Sequence, residues 1–421
     1  MEQLFRRADI LLPNSDIDLT KWSVVACDQF TAQPAYWDDL ERETKDVPST
    51  LHLMLPEAYL ETQDPVSAAV RINRTMEDYL SAGVFREVRD SFVYLERTLR
   101  SGAVRRGLLG VLDLEAYDYH PGSCSLIRAT EGTVESRLPP RVKIRRDAAL
   151  EMPHIMVFVD DPEDGVIAPL GAQTDRLTKL YDFPLIAGGG HIRGWAVSGA
   201  DADRVDAAIS ALANPDMLAR QYGNHAPALF AMGDGNHSFA AAKSFWEQLK
   251  PTLAETERKT HPARFCLVEL VNIHDAAITF EPIHRALFET DPASFLREAR
   301  EVFADRISTN GSHAIRLYTA KGEEQFCVTG LSIGELIGKA EQFCQNYVKT
   351  HGGRVDYIHN DDAAIAMGET PGQAALLLPR MKKSELFPSV IRSGPFPKKS
   401  FSIGLAQDKR YYLECRKIKL R

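Results

Sequence analysis

The segment Met232-Gly233-Asp234-Gly235-Asn236-His237-Ser238 sets a carboxylate, an imidazole and a hydroxyl around two glycines. It joins an apolar run, 227–231, to an alanine-rich run, 239–249, which read as a strand and a helix. A strand that turns through glycine into a helix presents unpaired backbone N–H groups and the positive end of the helix dipole. Proteins hold phosphates at such ends. An ordinary strand-to-helix turn capped by Asp or Asn is the alternative reading.

A second concentration of polar side chains lies in 122–146, where Arg128, Arg137, Arg141, Lys143, Arg145 and Arg146 fall within nineteen residues. The stretch reads as a basic loop that binds anions, or as a solvated surface loop. Glu131 lies inside it, and nearby cations would keep it ionised and fit for a base's role; a plain surface glutamate is the alternative. His154 and His191 sit beside apolar residues and read as hydrogen-bonded core histidines rather than catalysts. His284 and Arg285 are placed at a helix start, for an anion contact or a cap. Asp361-Asp362 is explained more simply by helix capping than by a metal. Gly188-Gly189-Gly190-His191-Ile192-Arg193-Gly194 has its last glycine one residue too late for a dinucleotide loop and reads as a glycine-rich turn. No G-x-x-x-x-G-K-[ST], H-E-x-x-H, G-x-S-x-G or kinase H-R-D set occurs. An ordinary P-loop enzyme, a familiar hydrolase and a protein kinase are therefore disfavoured.

The elements that must position these groups alternate between helix and strand, which predicts an α/β or mixed α+β fold. The spacing predicts an amphipathic helix over 66–84 closed by Gly83, strands over 92–95, 107–114, 155–159 and 264–273, and a helix over 201–212. A helix over 291–305 starts at Asp291 with Pro292 in its first position. Strands at 314–318 and 325–328 precede a helix over 333–349 ended by Gly352-Gly353, and the tail returns to strands at 374–378, 401–405 and 411–418. Three segments are expected: an N-terminal α/β segment, 1–120; a phosphate-binding core, 121–310; and a C-terminal α/β segment, 311–421, that returns to the core.

The chain has 421 residues, 44% of them hydrophobic and 26% charged, the composition of a folded protein. Its formal charge of −8 excludes a domain-wide basic surface for a nucleic-acid backbone. Cys27, Cys124, Cys266, Cys327, Cys344 and Cys415 are scattered, with no C-x-x-C pair and no zinc spacing, and read as reduced thiols. The N-terminus has no apolar h-region and no run approaches bilayer-spanning length, so a cytoplasmic chain without a membrane partner is expected.

Several motifs taken together resemble the bacterial and archaeal family called domain of unknown function 1015. They are Cys27-Asp28-Gln29-Phe30-Thr31, Pro48-Ser49-Thr50, Asp234-Gly235-Asn236-His237-Ser238, Pro282-Ile283-His284-Arg285, Lys399-Ser400-Phe401-Ser402 and Lys409-Arg410-Tyr411-Tyr412-Leu413-Glu414. The family's central motif, usually Asp-Gly-His-His-Arg, is similar to the phosphate motif of the ParB and sulfiredoxin-like fold, most closely that of its free-serine kinases. The resemblance implies a ParB/sulfiredoxin-like nucleotide-binding core with additional α/β lobes. It also implies Mg²⁺ and a nucleotide, ADP or ATP, as cofactors, and a small hydroxyl-bearing metabolite, free L-serine, as the acceptor.

By that resemblance Asp234 holds Mg²⁺ on the phosphates, Gly233, Gly235, Asn236, His237 and Ser238 form the phosphate site, and Glu131 takes the acceptor's proton. Asp234, Gly235 and His237 match the family motif directly, whereas Asn236 and Ser238 replace its His and Arg, and Thr130 stands where a His precedes the base. Losing the arginine removes a bidentate phosphate clamp, so a cation is expected from Arg141, Arg145 or Lys399. A nucleotide-dependent small-molecule phosphotransferase is the expected function. The alternatives are an inactive nucleotide-binding regulator of the ParB-like fold, in which nucleotide closes a lobe or a homodimer, and a metabolite-binding or scaffold protein. Sulfiredoxin chemistry needs a cysteine in the phosphate motif, which this one lacks.

Overall fold

The computed structural model describes residues 3–223 and 225–419. Its contacts divide into two compact units: Met1–Ala129, Thr133–Ile278 and Leu405–Arg421 form the first, Thr130–Gly132 and Thr279–Gly404 the second. The division does not follow the expected boundaries at 120/121 and 310/311, and strand pairing is the reason. Val104–Asp113, from the expected N-terminal segment, is hydrogen-bonded to Phe265–Asn272, from the expected core. The chain does return to its first unit at the end.

The first unit is built on an eleven-stranded mixed sheet. Tyr117–Asp118, Ile127–Arg128, Phe230–Asp234, Met156–Val159, Phe265–Asn272, Val104–Asp113, Phe85–Thr98, His191–Val197 and Thr178–Pro184 follow one another across it, while Phe5–Arg6 and Ala8–Pro13 pair with Val104–Asp113 and Phe85–Thr98. Alternate side chains of one strand enter two different cores, as the pleat requires. Leu108 and Leu112 pack with Phe230, Met232 and Phe239 on one face; Leu109 and Val111 pack with Trp22, Trp37 and Tyr412 on the other. Helices cover both faces: Asn236–Leu249 and Gly199–Leu212 contribute to the first core, Pro34–Thr44 and Pro65–Ser81 to the second. The fold is mixed α/β.

Two expectations for this unit are corrected. The basic stretch is not a loop throughout, because Leu138–Asp147 is a helix with proline in its first turn and Arg145 and Arg146 in its last, where both suit the helix termini. The tail over 411–418 is a strand only at Arg416–Lys417, paired with Leu150–Glu151. Arg410 to Arg416 are all buried, so this segment threads between packed layers instead of alternating between core and solvent.

The second unit carries a five-stranded antiparallel sheet in the order Gly322–Val328, His313–Thr319, Gln373–Leu377, His284–Phe288, Arg354–Ile358. Its helix Pro292–Phe303 is capped by Asp291, and Ile333–His351 by a Ser332/Glu335 capping box, both starting where the sequence predicts. His284 and Arg285 do not open a helix. They begin a strand paired on both edges, whose Ala286 and Leu287 are buried. Among the described residues, no helix is long and apolar enough to cross a membrane.

Candidate functional site

Phe230–Asp234 pairs with Met156–Val159, but its register passes from Met232↔Val157 to Asp234↔Met156. Gly233 is the extra residue of a β-bulge, which bends the strand end and re-aims Asp234. Gly235 then adopts the left-handed conformation at φ +77°, and the helix Asn236–Leu249 starts without a side-chain cap from it. A Cβ on Gly235 would lie 3.0 Å from Cγ1 and 3.1 Å from Cα of Ile155. Phe239 to Ala242, Phe245 and Trp246 are buried and fix this helix in the core.

Both oxygens of Asp234 are engaged: Oδ1 accepts the Gly235 N–H at 2.8 Å, and Oδ2 lies 3.1 Å from Lys409 Nζ. Burial pushes the Asp234 pKa up, but the Lys409 ammonium outweighs it and holds the group below the ordinary carboxylate range. His237 Nε2 accepts the Val134 N–H at 3.2 Å. Ser238 Oγ lies 3.1 Å from His154 Nε2, whose Nδ1 is 2.9 Å from the Tyr412 hydroxyl. Tyr412 in turn donates to Cys27 Sγ at 3.2 Å.

Lys409 and Tyr412 belong to a C-terminal segment that buried arginines hold in place. The Arg97 guanidinium binds the carbonyls of Gly189, Gln407 at 3.0 Å and Lys409 at 3.5 Å, and Arg105 binds that of Asp408 at 3.0 Å. Arg410 bridges Glu269 and Glu414, and the latter also accepts from Tyr181. Burial raises the Glu269 pKa, yet Arg105 and Arg410 keep it below its usual value. The glycine-rich turn serves the same packing: Arg97 stacks over Tyr411 at 4.7 Å, and a Cβ on Gly189 would sit 2.3 Å from the Tyr411 hydroxyl oxygen.

The remaining expected residues are placed differently. Arg141 pairs with Glu57, and Arg145 with Glu151 at 2.5 Å, a carboxylate that Arg416 also binds. Arg145, expected as a phosphate cation, faces a buried carboxylate in this structure. Glu131 belongs to the second unit, where it bridges to Phe396 and its Oε1 accepts the Lys399 N–H at 3.3 Å. Lys399 Nζ stands 4.6 Å from the Tyr357 ring centre. Asp361 pairs with His284 at 2.9 Å and Arg316 at 2.6 Å, while Asn360 caps the helix. Among the described residues no group of three or more His, Cys, Asp or Glu is arranged to hold a metal.

Sequence reasoning left Lys409, His154, Tyr412 and Cys27 without roles. Three of them lie in motifs that the sequence displays, but a linear motif does not reveal its spatial partner. His154 gave only an apolar neighbourhood, which is the signature of a core histidine.

No curated protein matches the chain. Among solved structures it is similar to a conserved hypothetical protein from Pyrococcus furiosus, at 11% identity and TM-score 0.34, covering 73% of this chain and 94% of that one. It is similar to a free serine kinase in complex with AMP, at 9% identity and TM-score 0.36, covering 73% and 91%. It is also similar to a C-terminally truncated SbnI from Staphylococcus aureus, at 10% identity and TM-score 0.36, covering 70% and 82%. Residues 10–357 match the family described as protein of unknown function (DUF1015), and the chain belongs to that family.

Proposed function

We propose that this protein is a nucleotide-dependent small-molecule phosphotransferase whose phosphate site is the Asp234 turn of the first unit. The observation that carries the reading is the Lys409–Asp234 pair, 3.1 Å apart, at the start of a glycine-opened helix. A helix N-terminus and an ammonium group together suit a nucleotide polyphosphate. Lys409 thereby supplies the positive charge that the family motif draws from an arginine. Asp234 suits Mg²⁺ only as one ligand beside phosphate oxygens, the common manner of binding this ion, so the metal is expected to arrive with ADP or ATP. When bound, Mg²⁺ neutralises charge on those oxygens. The acceptor is a hydroxyl-bearing metabolite, with free L-serine the choice drawn from the motif resemblance.

Calorimetry with ADP and ATP in the presence of Mg²⁺ tests the phosphate site, and phosphoserine formation with added L-serine tests the reaction. Lys409→Met is expected to weaken nucleotide binding about tenfold or more, since a charged hydrogen bond contributes ~1.5–3 kcal/mol. Binding without product favours the regulatory reading, which the engagement of both Asp234 oxygens and the Ser238 replacement support. Absence of nucleotide binding overturns both.

A further inference from the structure

Ser238 stands where the family motif carries arginine, and a hydroxyl cannot clamp a phosphate as a cation does. It can accept one. Ser238 Oγ is 3.1 Å from His154 Nε2, and His154 Nδ1 is 2.9 Å from the Tyr412 oxygen. Tyr412 has a single proton and directs it to Cys27 Sγ, while its oxygen also accepts the Cys27 N–H at 3.4 Å. The base role takes the tautomer in which Nδ1 carries the proton shared with Tyr412 and the lone pair of Nε2 faces Ser238, the tautomer that fits a Tyr412 proton directed to Cys27. The ring is packed edge-on against Tyr412, with centroids 5.5 Å apart. Burial pushes the Cys27 thiol up to about 12 and the Tyr412 phenol well above its usual value, so both keep their protons. A nucleophile, a base and a group that fixes the base's tautomer stand in one line, the arrangement that activates hydroxyls in covalent catalysis.

We infer that Ser238 is the first acceptor of the terminal phosphoryl group of the nucleotide, with His154 as its base. The inference rests on the Asp234 turn being the phosphate site. In the forward step the Ser238 Oγ–P bond forms, the bond from that phosphorus to its bridging oxygen breaks, the shorter nucleotide leaves with the electron pair, and the Ser238 proton passes to His154 Nε2. In the second step the acceptor oxygen bonds to phosphorus and the Oγ–P bond breaks. His154 returns the proton to Ser238, and the acceptor's own proton goes to water. The intermediate is a phosphoserine in the first turn of a helix, where the dipole stabilises it. Tyr412 is a positioning residue that acts through His154.

The test incubates the full chain with Mg²⁺ and either ATP labelled in its γ-phosphate or ADP labelled in its β-phosphate, without acceptor, and locates label by peptide mass spectrometry. Nucleotide binding is measured on the same preparation. The expected result is label on Ser238, none on Ser238→Ala, a loss of 10²-fold or more in labelling rate for His154→Gln, and chase of the label by added L-serine. Tyr412→Phe should slow labelling while the nucleotide Kd stays within about threefold. If nucleotide binds and product forms while Ser238 stays unlabelled, or if Ser238→Ala turns over at the wild-type rate, the inference fails and the phosphotransferase reading survives. If no nucleotide binds, both fall.

Discussion

At Gly235 one methyl group would disturb the turn twice. The residue must hold φ +77°, and a Cβ would press on Ile155 at 3.0–3.1 Å. Gly235→Ala should therefore cost about 1–3 kcal/mol, the range for a non-glycine residue in a disfavoured backbone region, read as a lower urea midpoint for the first unit. The turn was legible in the sequence because a glycine between a strand-like and a helix-like run has few other uses. Lys409 was not, because its value depends on standing 3.1 Å from a carboxylate far away in the chain. Arg145 shows the converse: its cationic character is plain in the sequence, and only the fold pairs it with a buried Glu151.

The element that decides the site is the returning segment around 405–414, which has little regular hydrogen bonding of its own. Side chains from the sheet do the holding: Arg97 and Arg105 bind its carbonyls, and Glu269 binds its Arg410. Arg410→Met would leave Glu269 and Glu414 buried without their shared partner, a loss of about 3–5 kcal/mol for a broken buried pair. Amide hydrogen exchange over 406–414 should accelerate in that variant, with the second-unit strand Gln373–Leu377 unchanged. Apolar alternation in 411–418 suggested a strand, but continuous burial on all sides produces a similar pattern. Conversely, the caps at Asp291 and Ser332 were legible because a cap is a local interaction within one helical turn.

Across the molecule, the buried carboxylates set the acid limit of the first unit. Burial alone would raise the pKa of Glu151 and Glu269, but Arg416 and Arg145 for the former, and Arg105 and Arg410 for the latter, lower both below 4.5. A carboxylate whose folded pKa is depressed contributes stability that is present above its unfolded value and lost as pH falls through the folded one. Thermal unfolding followed by circular dichroism should thus show a steep loss of the first unit's melting temperature below about pH 4.5. Glu269→Gln should lower the neutral-pH value and flatten that slope.

The sequence by itself determined a mixed α/β fold, most of the strands and helices, their caps, the Asp234 turn and the family. These follow from local periodicity, turn chemistry and contiguous motifs, which act over a few residues. Only the tertiary structure decided which strands share a sheet, that the chain from Leu405 rejoins the first unit, and that Lys409, His154 and Tyr412 meet Asp234 and Ser238. Ion pairs and hydrogen bonds form wherever packing brings complementary groups within about 3 Å. Sequence displays the groups, but the burial that brings them together and gives the contacts their strength arises from the folded sheet and its covering layers.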